Sequence, residues 1–420
     1  MGRRVGGKGK GSQMKTFDVV IAGGGVIGTA IAYFLTRSTD LSVAVIDSKK
    51  PGNASRASAG GLWPIGESVG LGCGVIFFKT QSKNVVESAD VPPPRPHLLP
   101  KFFFDFSLKS NEMFPDLWSE LRENHGLDFK LEKTGLKYII YDEYDWDYAR
   151  QIADSIPHLS DQLRWYDQQQ LHEDEPFVSE EAISALEFTR DDQVNPYLLV
   201  EAYREGARRE GAVLFLNTEI TGVNMSGSKV ISVETTEGPI GCGLLINAAG
   251  AWASDINKMV TGYDIPVVPI KGQVVLSEKM PKILRSCLST NDCYIAQKDN
   301  GEIYIGSTTE DLGYDTSCSC EELQDLSEGG IRCLPSLRQT SIKRTWAGLR
   351  PGTPDEIPIL GPINGIDAYL NACGHFRTGI LTSPLTAEII YSLVIGKEPP
   401  VDLTPFLLSR FDKSSHKFFQ

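Results

Sequence analysis

Phe17-Asp18-Val19-Val20-Ile21-Ala22-Gly23-Gly24-Gly25-Val26-Ile27-Gly28 carries the strongest structural signal in the chain. The apolar run 17–22 reads as a buried parallel strand. Gly23, Gly25 and Gly28 form a G-x-G-x-x-G, and Thr29–Thr36 continues it as a helix. A second strand, Leu41–Ile46, ends in Asp47. Each part has a physical task. Gly23 permits the tight turn, Gly25 lets backbone approach a pyrophosphate, and Gly28 lets helix pack on strand. The helix N-terminus faces phosphates, and Asp47 is placed to accept ribose hydroxyls. A lone glycine motif is weak evidence, but strand, helix, second strand and terminal acid in register identify a Rossmann-type dinucleotide site.

The rest of the composition narrows the function. The 420 residues hold 41 basic and 54 acidic side chains, a net charge of −13. Such a chain does not bind nucleic acid through a general basic face. With 41% hydrophobic and 23% charged residues it is a globular protein of two or three domains. Its six His show no metal-ligand spacing, so no metal site is expected. Eight Cys form no C-x-x-C pair and are expected to be reduced and mostly buried. No uninterrupted apolar run is long enough to span a membrane. Residues 1–15 carry five bases and no acid, leaving 36 bases against 54 acids (−18) in the remainder. Arg3-Arg4 ahead of an apolar stretch has the outline of an export signal, but that stretch holds the glycine motif the mature fold needs. Residues 1–13 are therefore expected to be a flexible extension.

The segment after the second strand separates FAD from NAD. Asn53-Ala54-Ser55-Arg56-Ala57-Ser58-Ala59-Gly60-Gly61 is a run of small residues that would let a bulky isoalloxazine lie against main chain. Further along, Pro196–Glu210 has helical spacing. Ala212–Leu216, Ile220–Val223, Gly135–Tyr141 and Pro269–Leu276 read as strands. Tyr294–Gln297 and Glu302–Ile305 flank an Asn-Gly turn, a hairpin signal. Gly379–Ile395 reads as a closing helix, and Pro92–Pro96 as a loop.

Three later motifs complete the pattern: Leu244–Trp252 (LLINAAGAW), Trp346–Asp355 (WAGLRPGTPD) and Cys373–Ile380 (CGHFRTGI). With the opening, they resemble the D-amino-acid-oxidase-like flavoprotein family over residues 14–411. The resemblance implies an α/β fold: a Rossmann-type FAD-binding domain with a discontinuous α+β mixed-sheet substrate domain. The expected division is 14–90, 175–265 and 345–420 for FAD, and 91–174 and 266–344 for substrate and partners. FAD is expected to be non-covalent, because covalent relatives carry their Cys near the position of Gly348. The expected cofactor contacts are Gly23, Gly25, Val26, Ile27, Gly28, Asp47 and Ser48, then Ser55, Ser58, Ala59, Gly60 and Gly61. Ile220, Ala248, Gly250, Trp252 and Gly348 follow. The last set is Gly374, His375, Phe376, Arg377, Thr378, Gly379 and Ile380, with the amides of 378–380 at a helix N-terminus supporting negative charge on the reduced ring.

An amino-acid substrate needs a carboxylate clamp, for which the Arg fork is suited. Arg350 sits where the family binds carboxylate, Tyr294 where relatives hydrogen-bond the same group, and Arg377 within reach of substrate or flavin. Hydride transfer from a neutral amine needs no protein base, so none is assigned. A narrower likeness, in residues 59–78, 292–302 and 371–377, is to members acting in a three-chain bacterial complex that oxidises glycine to cyanide and carbon dioxide. It implies glycine or a similar small amino acid as substrate. It also implies a second FAD subunit and a small iron–sulfur subunit as partners, and an electron-transport acceptor other than NAD or O2. The location implied is cytoplasmic, with peripheral inner-membrane association through the complex. The alternatives are a stand-alone oxidase of glycine, sarcosine or D-amino acids using O2, and a flavin-bearing scaffold subunit. Cys318 and Cys320 depart from the family pattern.

Overall fold

The computed structural model describes residues 14–71 and 96–411. The extension 1–13, residues 72–78 of the narrower likeness and residues 92–95 of the proline-rich loop lie outside them. The chain opens with β1 (Lys15–Ala22), α1 (Val26–Thr36), β2 (Val43–Asp47), the short α2 (Ala54–Ala57) and β3 (Gly61–Leu62). Next come α3 (Lys101–Glu112), α4 (Phe114–His125), β4 (Leu136–Ile140), α5 (Glu143–Ser155), β5 (Leu163–Asp167), α6 (Gln168–Asp174), β6 (Ser184–Phe188) and β7 (Asp192–Gln193). The middle holds α7 (Pro196–Arg209), β8 (Val213–Leu216), β9 (Ile220–Ser226), β10 (Lys229–Thr235), β11 (Ile240–Asn247) and α8 (Ala253–Thr261). The last part is β12 (Val268–Ser277), β13 (Cys287–Ser289), β14 (Tyr294–Gln297), β15 (Ile303–Gly306), α9 (Cys320–Cys333), β16 (Ile342–Gly352), β17 (Ile359–Pro362), β18 (Tyr369–Cys373) and α10 (Ser383–Val394).

Two eight-stranded sheets organise these elements. The first runs β17-β18-β11-β1-β2-β8, with β9 and β10 continuing from β11. Its centre is parallel: β1 pairs with β11 and with β2. Both faces are covered, so the strands are continuous apolar runs rather than alternating ones. One face packs on α1, α7 and α10 with α3 and α4 behind them, and α1 is buried along its whole length because Val26–Thr36 holds no charge. The second sheet runs β16-β12-β15-β14-β13-β4-β6-β5. It includes β6 and β16, which sequence alone groups largely with the first sheet. Most of its pairs are antiparallel, and each residue of β16 from Trp346 to Gly352 faces one on β12.

Sequence and structure agree on β1, α1, β2, α7, β8, β9 and the β14–β15 hairpin. The closing helix differs. It begins at Ser383, four residues after Gly379, because Thr378 donates its amide and hydroxyl to the His375 carbonyl and holds residues 376–382 in turns. Among the described residues, no helix is long and apolar enough to cross a membrane, and no group of three or more His, Cys, Asp or Glu could hold a metal ion. The described cysteines are all free, and five of the seven are buried.

Candidate functional site

A cavity of about 580 Å³ opens between the two sheets. Its long arm follows the edge of the first sheet. The β1–α1 turn supplies Gly23, Gly25, Val26 and Ile27, and the end of β2 supplies Asp47 and Ser48. The loop after β2 adds Ser55, Ser58, Ala59, Gly60 and Gly61. Ile220, Ala248, Gly250 and Trp252 close one side, and Gly348, His375, Phe376, Gly379 and Ile380 the other.

Local chemistry explains these positions. Gly23 has φ +108°, a conformation that favours glycine. Asp47 accepts the Gly24 amide at 2.8 Å and the Lys49 amide at 2.5 Å. A carboxylate has further lone pairs, so its expected role toward ribose stays open to it. Ser55 Oγ accepts the Val26 amide at 3.0 Å, tying the small-residue run to the start of α1. The Gly52 carbonyl accepts the Leu349 amide (2.8 Å), so the same run covers the outer edge of β16.

Three expected contacts do not line the cavity. Gly28 is turned inward, and an added Cβ there would stand 1.9 Å from the Gly23 carbonyl oxygen, so its task is helix–strand packing. Gly374 holds φ +74° in the turn after β18, where a Cβ would meet Thr353 at 2.6 Å. Thr378 is buried, and its amide is spent on His375, so it offers nothing to a ligand. The expected helix N-terminus at 378–380 is replaced by a turn, of which Gly379 and Ile380 face the cavity.

The short arm is built on the second sheet. Arg350 projects from β16 into a space left by Gly272 on β12, where a Cβ would strike the guanidinium. The guanidinium donates to the carbonyls of Thr308 (3.1 Å) and Lys271 (3.3 Å) and to Ser307 Oγ (2.5 Å). Tyr294 lies directly opposite Gly306, whose missing side chain makes room for the phenol. Its ring stands edge-on to Trp63 at 5.5 Å. Arg350, Tyr294 and Arg377 all line the one cavity. Arg377, expected to touch substrate or flavin, is held by two carboxylates, Glu356 (2.7 Å) and Glu67 (3.3 Å).

Sequence reasoning did not assign Glu67, Trp63, Gly272 or Ser307, all of which line the cavity. The signal for Glu67 was present: it is the sole charge in the apolar, glycine-rich stretch Trp63–Leu71. His375 is buried with its Nε2 beside Thr386 Oγ1 at 3.1 Å. Burial pushes its pKa down to about 3, so the ring is neutral and serves the turn. Burial pushes the Cys373 thiol up to about 12, which removes thiolate character at neutral pH.

The cavity fits a flavin dinucleotide. Its long arm is lined by glycines and small residues that bring main chain to the surface, and it is continuous with the polar short arm. Comparison with known proteins agrees. The FAD dependent oxidoreductase (DAO) family model matches residues 18–393. The hydrogen cyanide synthase subunit HcnC of Pseudomonas protegens is 57% identical over 95% of this chain and 97% of its own, and that of Pseudomonas aeruginosa 55% over 94% and 97%. The crystal structure of glycine oxidase from Geobacillus kaustophilus superposes with a TM-score of 0.81 at 29% identity, covering 94% of this chain and 99% of that one. The chain belongs to the D-amino-acid-oxidase-like family of FAD-dependent oxidoreductases.

Proposed function

We propose that this chain is the glycine-oxidising FAD subunit of a hydrogen cyanide synthase. It converts glycine to the imine and then to hydrogen cyanide and carbon dioxide, and electrons leave to an acceptor other than NAD. The observation that carries this reading is the meeting of Arg350 and Tyr294 with the small-residue cradle in one cavity. The identity with the two HcnC chains supports the cyanide-forming outcome and a multi-chain assembly. A second FAD subunit, a small iron–sulfur subunit and peripheral membrane association belong to the same proposal.

The residues that would hold FAD are those of the long arm: Gly23, Gly25 and Ser55 at the diphosphate, Asp47 at the ribose, and Ala59, Gly60 and Gly348 beside the ring. Bound there, FAD supplies a two-electron acceptor. Arg350 and Tyr294 bind the substrate carboxylate and orient Cα–H. Trp63 and the walls around it exclude water. Conversion of glycine to HCN and CO2 releases four electrons and four protons, so the cavity must serve two successive two-electron oxidations.

The test is the purified complex with glycine and an artificial electron acceptor under argon. Cyanide should accumulate, and Arg350→Lys should slow turnover on the order of a hundredfold, since one or two charge-assisted hydrogen bonds of about 1.5–3 kcal/mol are lost. No cyanide, with Arg350→Lys unchanged, would refute the reading. A second reading, an O2-using glycine oxidase, is favoured by the glycine oxidase of Geobacillus kaustophilus, 30% identical over 396 residues. Peroxide and glyoxylate from the lone chain would select it.

A further inference from the structure

Glu67 stands at the short arm, four residues beyond Trp63 and within the stretch that separates the two arms. Its position is fixed from below. Buried Asp191 accepts the Ile65 amide at 3.0 Å and the Gly66 amide at 2.6 Å, and the Glu67 amide donates to the Trp63 carbonyl at 3.1 Å. Its Oε2 is buried, makes no hydrogen bond and lies 3.3 Å from the Arg377 guanidinium. Trp63 Nε1, on the same wall, is likewise buried with no hydrogen bond.

The charges here do not balance by themselves. Arg377 is shared by two carboxylates, Glu67 and Glu356. Glu356 turns its other oxygen toward His97 at 3.6 Å, at the surface. The inner carboxylate therefore brings surplus negative charge to a cavity wall, where a cation is favoured. The groups that face Glu67 are Arg377, Arg350, Glu356 and Asp191. Burial is the largest influence and raises the Glu67 pKa above the usual carboxylate range, while the two arginines oppose it. A carboxyl raised in this way is suited to accept a proton near neutral pH.

We propose that Glu67 receives the substrate amine and takes its proton. The proposal rests on the amino-acid reading above and adds a base to it. The –NH3+ group hands one proton to the carboxylate, leaving –NH2 and a neutral Glu67 carboxyl. The Cα–H bond then breaks with its electron pair going to oxidised FAD, and the nitrogen lone pair closes the C=N bond. The second oxidation also sheds a proton from nitrogen as C≡N forms, so one carboxylate serves both rounds. Arg377 is the positioning residue that keeps Glu67 aimed at the cavity.

The test compares glycine with acetate, which keeps the carboxylate and lacks the amine, on the FAD-loaded chain. Glycine is followed by the concentration dependence of anaerobic flavin bleaching, and acetate by its perturbation of the flavin spectrum. In Glu67→Gln, glycine should bind at least tenfold more weakly and reduce flavin at least a hundredfold more slowly. Acetate should bind as well as before or better. Glu67→Asp, titrated in the same way, covers the case in which the amide variant does not fold. It withdraws the carboxylate by one methylene and should weaken glycine without weakening acetate. Equal loss for both ligands, or no loss for glycine, overturns the proposal. Failure of the unmutated chain to bind glycine overturns the amino-acid reading and the proposal with it.

Discussion

Two glycines of one motif should respond to the same substitution through different measurements. At Gly28 an added methyl carbon would lie 1.9 Å from the Gly23 carbonyl oxygen and 3.2 Å from the Ile21 side chain. Carbon and oxygen need roughly 3.2 Å, so α1 would have to back away by more than an ångström. It cannot do so freely, because all eleven of its residues are buried. Overpacking of this kind costs about 1–3 kcal/mol, against about 1 kcal/mol gained from replacing Gly by Ala in a helix. Strain wins, and Gly28→Ala should lower the urea midpoint of the cofactor-free chain by the equivalent of about 1–2 kcal/mol. At Gly25 the methyl would lie 3.2 Å from Ser55 Oγ, which can give, and would otherwise face the cavity. Gly25→Ala should leave the urea midpoint within about 0.5 kcal/mol while weakening FAD, read by quenching of flavin fluorescence, at least tenfold. An unshifted midpoint in Gly28→Ala, or unchanged FAD affinity in Gly25→Ala, would refute the division of labour.

Three further outcomes follow from buried groups. The folded pKa of His375 is lowered from 6.5 to about 3, so the unfolded chain binds its proton first and stability falls as pH drops through that window. At pH 5 the loss should be about 2 kcal/mol, and urea unfolding of His375→Gln should show a flatter pH dependence over the same range. The Lys137 side chain is 1% exposed and pairs with Asp174 (2.6 Å) and with Glu175 (3.2 Å), whose side chain is wholly buried. Lys137→Met should therefore cost about 3–5 kcal/mol in chemical denaturation by stranding that carboxylate. Cys373, held as a thiol by burial, should form no flavin bond, so acid precipitation should leave all yellow colour in the supernatant.

The legible parts of the molecule are those where local sequence dictates backbone. The run 17–28 is strand, turn and helix because its apolar residues and glycines permit little else, and Asp47 closes the unit at the end of β2. Arg350 and Tyr294 were found through their motifs, yet the reason they fit was not visible. It lies in Gly272 and Gly306, glycines on neighbouring strands that sequence order keeps 78 and 12 residues away. Pairing across strands is a tertiary fact, and single-chain periodicity does not report it. Thr378 and Gly374 were read as ligand contacts because they sit among residues that are. The structure shows that one closes a turn and the other provides its positive φ. Glu67 escaped because a lone acid in an apolar stretch gains meaning only when Arg377 arrives from more than 300 residues away.

The pleat of β16 has a consequence for how such a chain can change over time. Trp346, Gly348 and Arg350 share one face, where Trp346 Nε1 donates to the Ala57 carbonyl at 3.1 Å and Gly348 clears the Ala57 side chain. Leu349, between them, points the other way and fills the space beside Gly52. Exchange of one side chain for another can adjust this strand gradually. A single inserted or deleted codon between Ile342 and Gly348 cannot, because it would turn Arg350 out of the cavity and drive Leu349 into it in one step. Length is therefore the rigid character of this segment and residue identity the adjustable one, so its descendants can drift in chemistry while keeping the same count.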